Sequence, residues 1–373
     1  MTTELPPIVV LLGGPSAEHD VSVVSGSAIA DALEDLGHTV ERILIDLGGL
    51  WWRLPPGTRG PATPPSAWDA PAGVGALGPD RPADALARLA GARPAPVVFV
   101  ALHGPFGEDG TVQALLEAAG LAYTGSAVAA SAIGMDKAIF KRLCRGLGLP
   151  VVDWREIRAD RWAADRPGVL RELEAFALGT GDPRLMIKPA RLGSSVGMTL
   201  AHTAGERAAA IESGLRHDTL VLAEAYLAGA RDLEVAIVGN DPARLELYGP
   251  GEIVAGHEFY DYAAKYTPGL SRATPTAELD PTMRATILKI ARDCYRAIGA
   301  EGFARVDFLV DARRVFLSEI NTIPGFTPIS LFPAMVALGG QDFGRIAERI
   351  VGLALERRAA SVRAPLTAAD LPR

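Results

Sequence analysis

The segment from Gly302 to Asn321 constrains this chain more than any other. It reads Gly-Phe-Ala-Arg-Val-Asp-Phe-Leu-Val, a short polar break, then Val-Phe-Leu-Ser-Glu-Ile-Asn. Side chains on a strand alternate faces, so Phe303, Arg305 and Asp307 point one way while Ala304, Val306, Phe308 and Val310 point the other. With Asp311-Ala312-Arg313-Arg314 as the turn, the two stretches are expected to pair as a hairpin that carries Arg305, Asp307, Glu319 and Asn321 on one face. Two carboxylates and an amide suit a hard cation such as Mg²⁺, which takes oxygen ligands and is commonly completed by phosphates. The same residues also fit a polar sheet face stitched by an Arg–carboxylate pair.

Other segments carry independent chemical signals. After the hairpin, Thr322-Ile323-Pro324-Gly325-Phe326-Thr327-Pro328 leaves through a Pro-Gly loop that can present backbone N–H groups. Leu185-Met186-Ile187-Lys188-Pro189 ends a strand in a lysine, and the small-residue run Gly193-Ser194-Ser195-Val196-Gly197 follows. Glycines there allow close backbone approach to an anion, serines add donors and Lys188 supplies charge, although a plain surface hairpin has the same composition. Lys137 falls in the first turn of a helix, where the dipole disfavours a cation, so a neighbouring anion or simple solvation is required. Glu18 follows a glycine loop into a helix, and His103 stands just past the carboxyl end of a strand, where α/β sheets bind ligands. Phe259-Tyr260-Asp261-Tyr262 and Lys265-Tyr266 form an aromatic-rich loop.

Strand–loop–helix units repeat along the N-terminal part. Ile8 to Leu12 is an apolar run closed by Gly13-Gly14 before a helical pattern from Val21 to Leu36, and Val97 to Leu102 leads to a helix at Thr111 to Ala119. This alternation predicts a layered α/β domain over 1–125. Within it, residues 48–96 are dense in proline and glycine and read as a peripheral insertion anchored by Trp51, Trp52 and Trp68, with a short helix at Pro82 to Ala90. A second unit is expected over 126–227, a third over 228–360 with the helix Pro281 to Ile298 and the hairpin, and a loose tail over 361–373. Net charge is -7 and no basic run exists, which argues against nucleic acid and acidic membranes as partners. No stretch approaches the ~20 apolar residues of a membrane span, and Cys144 and Cys294 both sit in apolar helical patterns, so a reducing cytoplasmic setting with small-molecule partners is expected.

Taken together, Arg-Val-Asp-Phe followed by Glu-Ile-Asn-Thr-Ile-Pro-Gly-Phe-Thr resembles the metal-binding end of the ATP-grasp ligases, specifically the D-alanine:D-alanine ligase family. Eight separated motifs from Gly13 to Leu331 follow that family's order. The resemblance implies a three-domain ATP-grasp fold, with a Rossmann-like N-terminal α/β domain and ATP bound between the central and C-terminal domains. It implies ATP-driven joining of two D-alanines through an acyl phosphate, for peptidoglycan precursor synthesis, by a cytoplasmic homodimer.

Residue by residue, the resemblance implies that Asp307, Glu319 and Asn321 hold two Mg²⁺ ions, with Mn²⁺ able to serve. Lys137 and Lys188 would grip the α and β phosphates, Lys265 the γ phosphate, with Ser195 in the closing loop. Glu224 and Leu227 would meet the adenine edge, Asp232 the ribose, and Leu309 would lie under the base. Ala225 replaces a lysine common in the family, so any adenine contact from that lysine is absent. Glu18 would hold the ammonium of the first D-alanine with His103 beside it, and Tyr266 would bond with Ser194. Arg305 and the Gly325 N–H would hold the oxyanion, and Ser330 and Leu331 would receive the carboxylate of the second amino acid. Relatives that make D-alanyl-D-lactate depart from Lys265-Tyr266, so its retention favours an amine nucleophile; a D-alanyl-D-lactate or D-alanyl-D-serine ligase is the alternative.

Overall fold

The computed structural model describes residues 5–60, 65–255 and 271–361. Its first sheet is laid down by β1 (Ile8–Gly13), α1 (His19–Asp35), β2 (Val40–Ile45), β3 (Trp51–Arg53), β4 (Leu77–Asp80), α2 (Pro82–Gly91), β5 (Val97–Val100), α3 (Thr111–Ala118) and β6 (Ala122–Tyr123). Strand order is β4-β3-β2-β1-β5-β6, with β1 parallel to both β2 and β5. Every residue of β1 is buried, which is why its sequence is a continuous apolar run rather than an alternating one. Gly13 closes the strand at φ +85, where an added Cβ would stand 2.4 Å from the Ile45 carbonyl oxygen. The expected α/β layering is therefore present.

Residues 48–96 do more than decorate this sheet. They supply β3 and β4, which pair antiparallel onto the edge at β2. Trp51 and Trp68 are buried in the core, and the Trp52 indole donates to Asp46 Oδ2 at 2.8 Å. Proline and glycine density hid two very short strands whose pairing comes from the neighbouring edge.

Next come α4 (Val128–Met135), α5 (Lys137–Gly146), β7 (Trp154–Arg158), α6 (Ala159–Ala164), α7 (Arg166–Thr180), β8 (Leu185–Pro189), β9 (Thr199–Ala201), α8 (Ala204–Leu215) and β10 (Leu220–Ala225). Their strands form an antiparallel sheet in the order β7-β10-β8-β9. The third sheet runs β13-β12-β11-β14-β15, from β11 (Arg231–Val238), β12 (Glu246–Ala255), β13 (Ser271–Thr274), α9 (Pro281–Ala297), β14 (Phe303–Val310) and β15 (Val315–Asn321). Asp280 caps α9 by accepting from the Thr282 and Met283 N–H groups, with Pro281 at its first position. One face of the predicted helix is apolar: Ile287, Ile290, Cys294 and Ile298 pack into one core with Val306, Phe308 and Leu317. Helices α10 (Leu331–Leu338) and α11 (Phe343–Ser361) complete the described chain.

The hairpin forms with Arg305 opposite Asn321 and Asp307 opposite Glu319. Strict alternation along β15 would put Leu317 on the same face as Glu319. A register shift just past Asp307 pairs Phe308 with Leu317 instead, so Leu317 joins the core while Ser318 and Glu319 both face the cleft. Bulges beside sites commonly re-aim side chains in this way. Further along the face that carries Arg305 and Asp307, Phe303 meets Phe99, Phe326 and Phe332 at ring-centre distances of 5.7–6.3 Å, tying the third sheet to the first.

Candidate active site

A cavity of about 900 Å³ opens where loops of the first sheet meet the second and third sheets. Its lining includes groups from every segment singled out above that the described residues cover. Lys265 and Tyr266 lie outside those residues.

On the hairpin side, the Arg305 guanidinium grips Asp307 in a bidentate pair at 2.7 and 2.6 Å and lies 3.2 Å from Glu234 Oε2. Burial opposes its charge, but Asp307 and Glu234 more than compensate and raise its pKa. Asn321 Nδ2 donates to Asp307 Oδ2 at 3.0 Å. Glu319 pairs with Lys137 Nζ at 3.2 Å. That contact supplies the anion Lys137 needs at the start of α5, where Asp136 caps the helix. Although burial alone would lower the Lys137 ammonium, Glu319 holds it above its ordinary value. Among the described residues no group of three or more His, Cys, Asp and Glu forms a metal nest. The donor set is two carboxylates and an amide on adjacent strands, already neutralised by two protein cations, and that oxygen-only chemistry fits a hard divalent ion completed by phosphate and water.

Lys188 and Glu224 face the same cavity from the second sheet. Glu224 lies in the central strand β10, opposite Trp154 on one side and Met186 on the other, with its carboxylate 2.8 Å from Lys188 Nζ and 2.9 Å from Lys141 Nζ. Its backbone is thus inside the sheet, and the strand stops at Ala225; the open chain beside the cavity starts at Tyr226. Leu227, Asp232 and Leu309 line the cavity beyond it, with Asp232 and Leu309 paired across β11 and β14. Ser194 and Ser195 take φ of +47 and +58, two successive non-glycine residues in the left-handed region. Such strain persists only where surroundings over-determine it, and it clusters at ligand clamps.

Glu18 comes from the glycine loop after β1 and meets Ser194, whose hydroxyl donates to Glu18 Oε1 across 176 positions of sequence. Two glycines make room for this carboxylate. A Cβ at Gly104 would stand 2.5 Å from Glu18 Oε2, and one at Gly193 would stand 2.6 Å from it. His103 is buried with both ring nitrogens engaged, Nε2 with Ser25 Oγ at 3.0 Å and Nδ1 with the Ile323 carbonyl at 3.1 Å. Nδ1 must therefore carry the proton and Nε2 accept from the serine. Burial lowers the His103 pKa despite the nearby Glu18 charge, which agrees with this neutral form. The sequence placed His103 beside the substrate; in the fold it also braces the loop that leads to Gly325.

Ser330 immediately precedes α10 and accepts the Thr327 N–H at 3.0 Å, folding the Pro-Gly loop tightly. Leu331 begins the helix, so its N–H belongs to the unpaired first turn, where an anion is favoured. Phe326, packed edge-on against Phe99 and Phe303, anchors the loop that presents Gly325.

Three participants were not read from the sequence. Lys141 is wholly buried behind Glu224; its spacing of four from Lys137 on the same helix was the available signal. Glu108, inside the Gly107-Glu108-Asp109-Gly110 run, accepts the Gly104 N–H at 2.9 Å and the Ile323 N–H at 3.0 Å. Burial, and then the Glu18 charge, push its pKa up to about 8. Ser25 sits on the buried face of α1, and nothing local marks it as a partner of His103.

Comparison with known proteins gives a consistent picture. Residues 7–126 match the family model described as D-ala D-ala ligase N-terminus, and residues 143–352 match D-ala D-ala ligase C-terminus. A D-alanine--D-alanine ligase of Kineococcus radiotolerans is 41% identical over 94% of this chain and 97% of its own length. One of Heliobacterium modesticaldum is 38% identical over 94% of each. Among solved structures, the D-alanine-D-alanine ligase from Coxiella burnetii superposes with a TM-score of 0.75 at 29% identity, covering 95% of this chain and 96% of that one. The VanG D-Ala:D-Ser ligase from Enterococcus faecalis gives 0.76 at 29% identity, covering 94% and 100%.

Proposed function

The chain belongs to the D-alanine–D-alanine ligase family, and from that premise we propose how its residues divide the work of joining two D-alanines. The fold is the ATP-grasp fold, and the activity is ATP-dependent ligation of two D-alanines to D-alanyl-D-alanine through an acyl phosphate. One observation carries the assignment of roles: a single cavity gathers Glu18 from the loop after β1, Lys137 from α5, Lys188 from the second sheet, and Arg305, Asp307, Glu319 and Asn321 from the third.

In this reading Glu18 binds the ammonium of the first D-alanine, and its bond with Ser194 registers the small-residue loop over the site. Lys137, Lys188 and Ser195 hold the α and β phosphates and Lys265 the γ phosphate, while Glu224, Leu227 and Leu309 surround the base and Asp232 meets the ribose. Asp307, Glu319 and Asn321 would hold two Mg²⁺ ions, or Mn²⁺, which when bound neutralise charge on the phosphates during transfer. Arg305 and the Gly325 N–H stand where the tetrahedral oxyanion develops as the second amine attacks. Ser330 and the Leu331 N–H, at the start of α10, receive the second carboxylate. His103 and Glu108 keep the Gly104 and Ile323 loops at a fixed separation, and Tyr266 joins the Glu18–Ser194 pair.

The same premise supports a homodimer in the cytoplasm acting in peptidoglycan precursor synthesis, and a division at 1–125, 126–227, 228–360 and 361–373. Purified protein with ATP, Mg²⁺ and D-alanine should release phosphate and yield D-alanyl-D-alanine by mass. D-Lactate and D-serine, offered as second substrates, test the resistance-type alternative; preference for D-lactate would refute the amine assignment made from Lys265-Tyr266, and preference for D-serine would refute D-alanine as the second substrate.

A further inference from the structure

A buried lysine outside the proposed mechanism stands directly behind its phosphate-side cation. Lys141 is 0% exposed, with Nζ 2.9 Å from Glu224 Oε1, 3.3 Å from the Val152 carbonyl and 5.6 Å from the centre of the Trp154 ring. The other Glu224 oxygen meets Lys188 at 2.8 Å. Lys188 and Glu224 line the cavity, whereas Lys141 does not.

Charge balance gives this arrangement a consequence. A buried carboxylate paired one-to-one with Lys188 would present no net charge to an incoming phosphate. Lys188 could turn toward that phosphate only by leaving the carboxylate unpaired, which is strongly unfavourable away from water. The second ammonium removes both obstacles. Burial lowers the Lys141 pKa and the Glu224 charge works against that shift; with both ammonium groups protonated, two lysines and one glutamate carry one net positive charge, and Glu224 keeps a partner whatever Lys188 does. Burial would raise the Glu224 pKa, yet Lys141 and Lys188 together hold it below its ordinary value. Arg145, 4.1 Å from the centre of the Trp154 ring, and Lys137 complete the charged surroundings of the cluster.

We propose that Lys141 is a positioning residue for the nucleotide: it neutralises Glu224 from inside the protein so that the charge of Lys188 is available to the phosphates. The inference rests on the nucleotide-site assignment above. It is tested by calorimetric titration with ADP and Mg²⁺, alongside steady-state KM values for ATP and D-alanine. Lys141→Met should weaken ADP binding by about tenfold or more, while the D-alanine KM moves by less than about threefold. In the Glu224→Gln background the same Lys141→Met change should cost less than about threefold, because the charge it answers is gone.

Equal losses in the two backgrounds, or ADP binding unchanged by Lys141→Met, would overturn the proposal in favour of a lysine that merely fills space. Lys188→Met separates the two levels of argument. If it leaves ADP binding intact, the nucleotide assignment itself fails; if it weakens binding while Lys141→Met does not, only the role of Lys141 fails. Should Lys141→Met alone not fold, the double variant removes both charges and is compared with Glu224→Gln: a tenfold loss overturns the proposal, a loss below threefold upholds it.

Discussion

Gly193→Ala tests whether the place of Glu18, rather than its mere presence, sets activity. Gly193 has no positive φ, so alanine meets no backbone strain there. Its Cβ, however, would stand 2.6 Å from Glu18 Oε2, against an ordinary contact of at least 3.4 Å, so the carboxylate must retreat by about 0.8 Å. Retreat is restricted, because Gly104 abuts the same oxygen so closely that a Cβ there would come within 2.5 Å. The carboxylate must swing outward and loosen its bond to Ser194. Displacement of about 1 Å at a positioning group is worth about 10²-fold in rate, or about 2.7 kcal/mol. Steady-state kinetics should show that loss in kcat/KM for D-alanine, with the ATP KM changed far less and the thermal midpoint nearly unmoved. Near-normal kcat/KM for D-alanine in a folded variant would refute the reasoning, since Glu18 would then tolerate displacement.

Arg305→Ala should fold but lose about 10²-fold in kcat, the usual cost of removing one oxyanion donor, and near-normal turnover would end that assignment. Glu108 keeps its proton to about pH 8 in the folded protein, whereas an unfolded glutamate releases it near the ordinary 4.5. The folded state therefore binds more protons between those values, so this group's contribution to stability falls as pH rises through that window. Glu108→Gln should remove that slope while orphaning one of the two N–H groups, making the stability gap to wild type narrower at pH 8 than at pH 5.5 in paired thermal melts. Gly352→Ala, mid-helix with open space at the Cβ position, should raise stability by about 0.5–1 kcal/mol by denaturant titration and leave kinetics unchanged.

Local pattern alone determined a good deal of this protein. Alternation in Phe303–Val310 and the polar turn set the hairpin and put Arg305, Asp307, Glu319 and Asn321 together, because side-chain period and turn chemistry are encoded within a few residues. The apolar run of β1 declared the strand of a strand–loop–helix unit, and Asp280-Pro281 declared the start of α9. Order and spacing of the motifs carried the family. Tertiary structure decided what period and propensity cannot express. The shift after Asp307 sends Leu317 inward, and two edge strands form from proline-rich sequence only because β2 offers an edge. Ser194 reaches Glu18 and Ile323 reaches Glu108 across 176 and 215 positions, and Lys141 finds Glu224 on a different element. Each of those contacts depends on how separately formed sheets dock, and docking is fixed by the summed burial of whole faces rather than by any residue's neighbours in the chain.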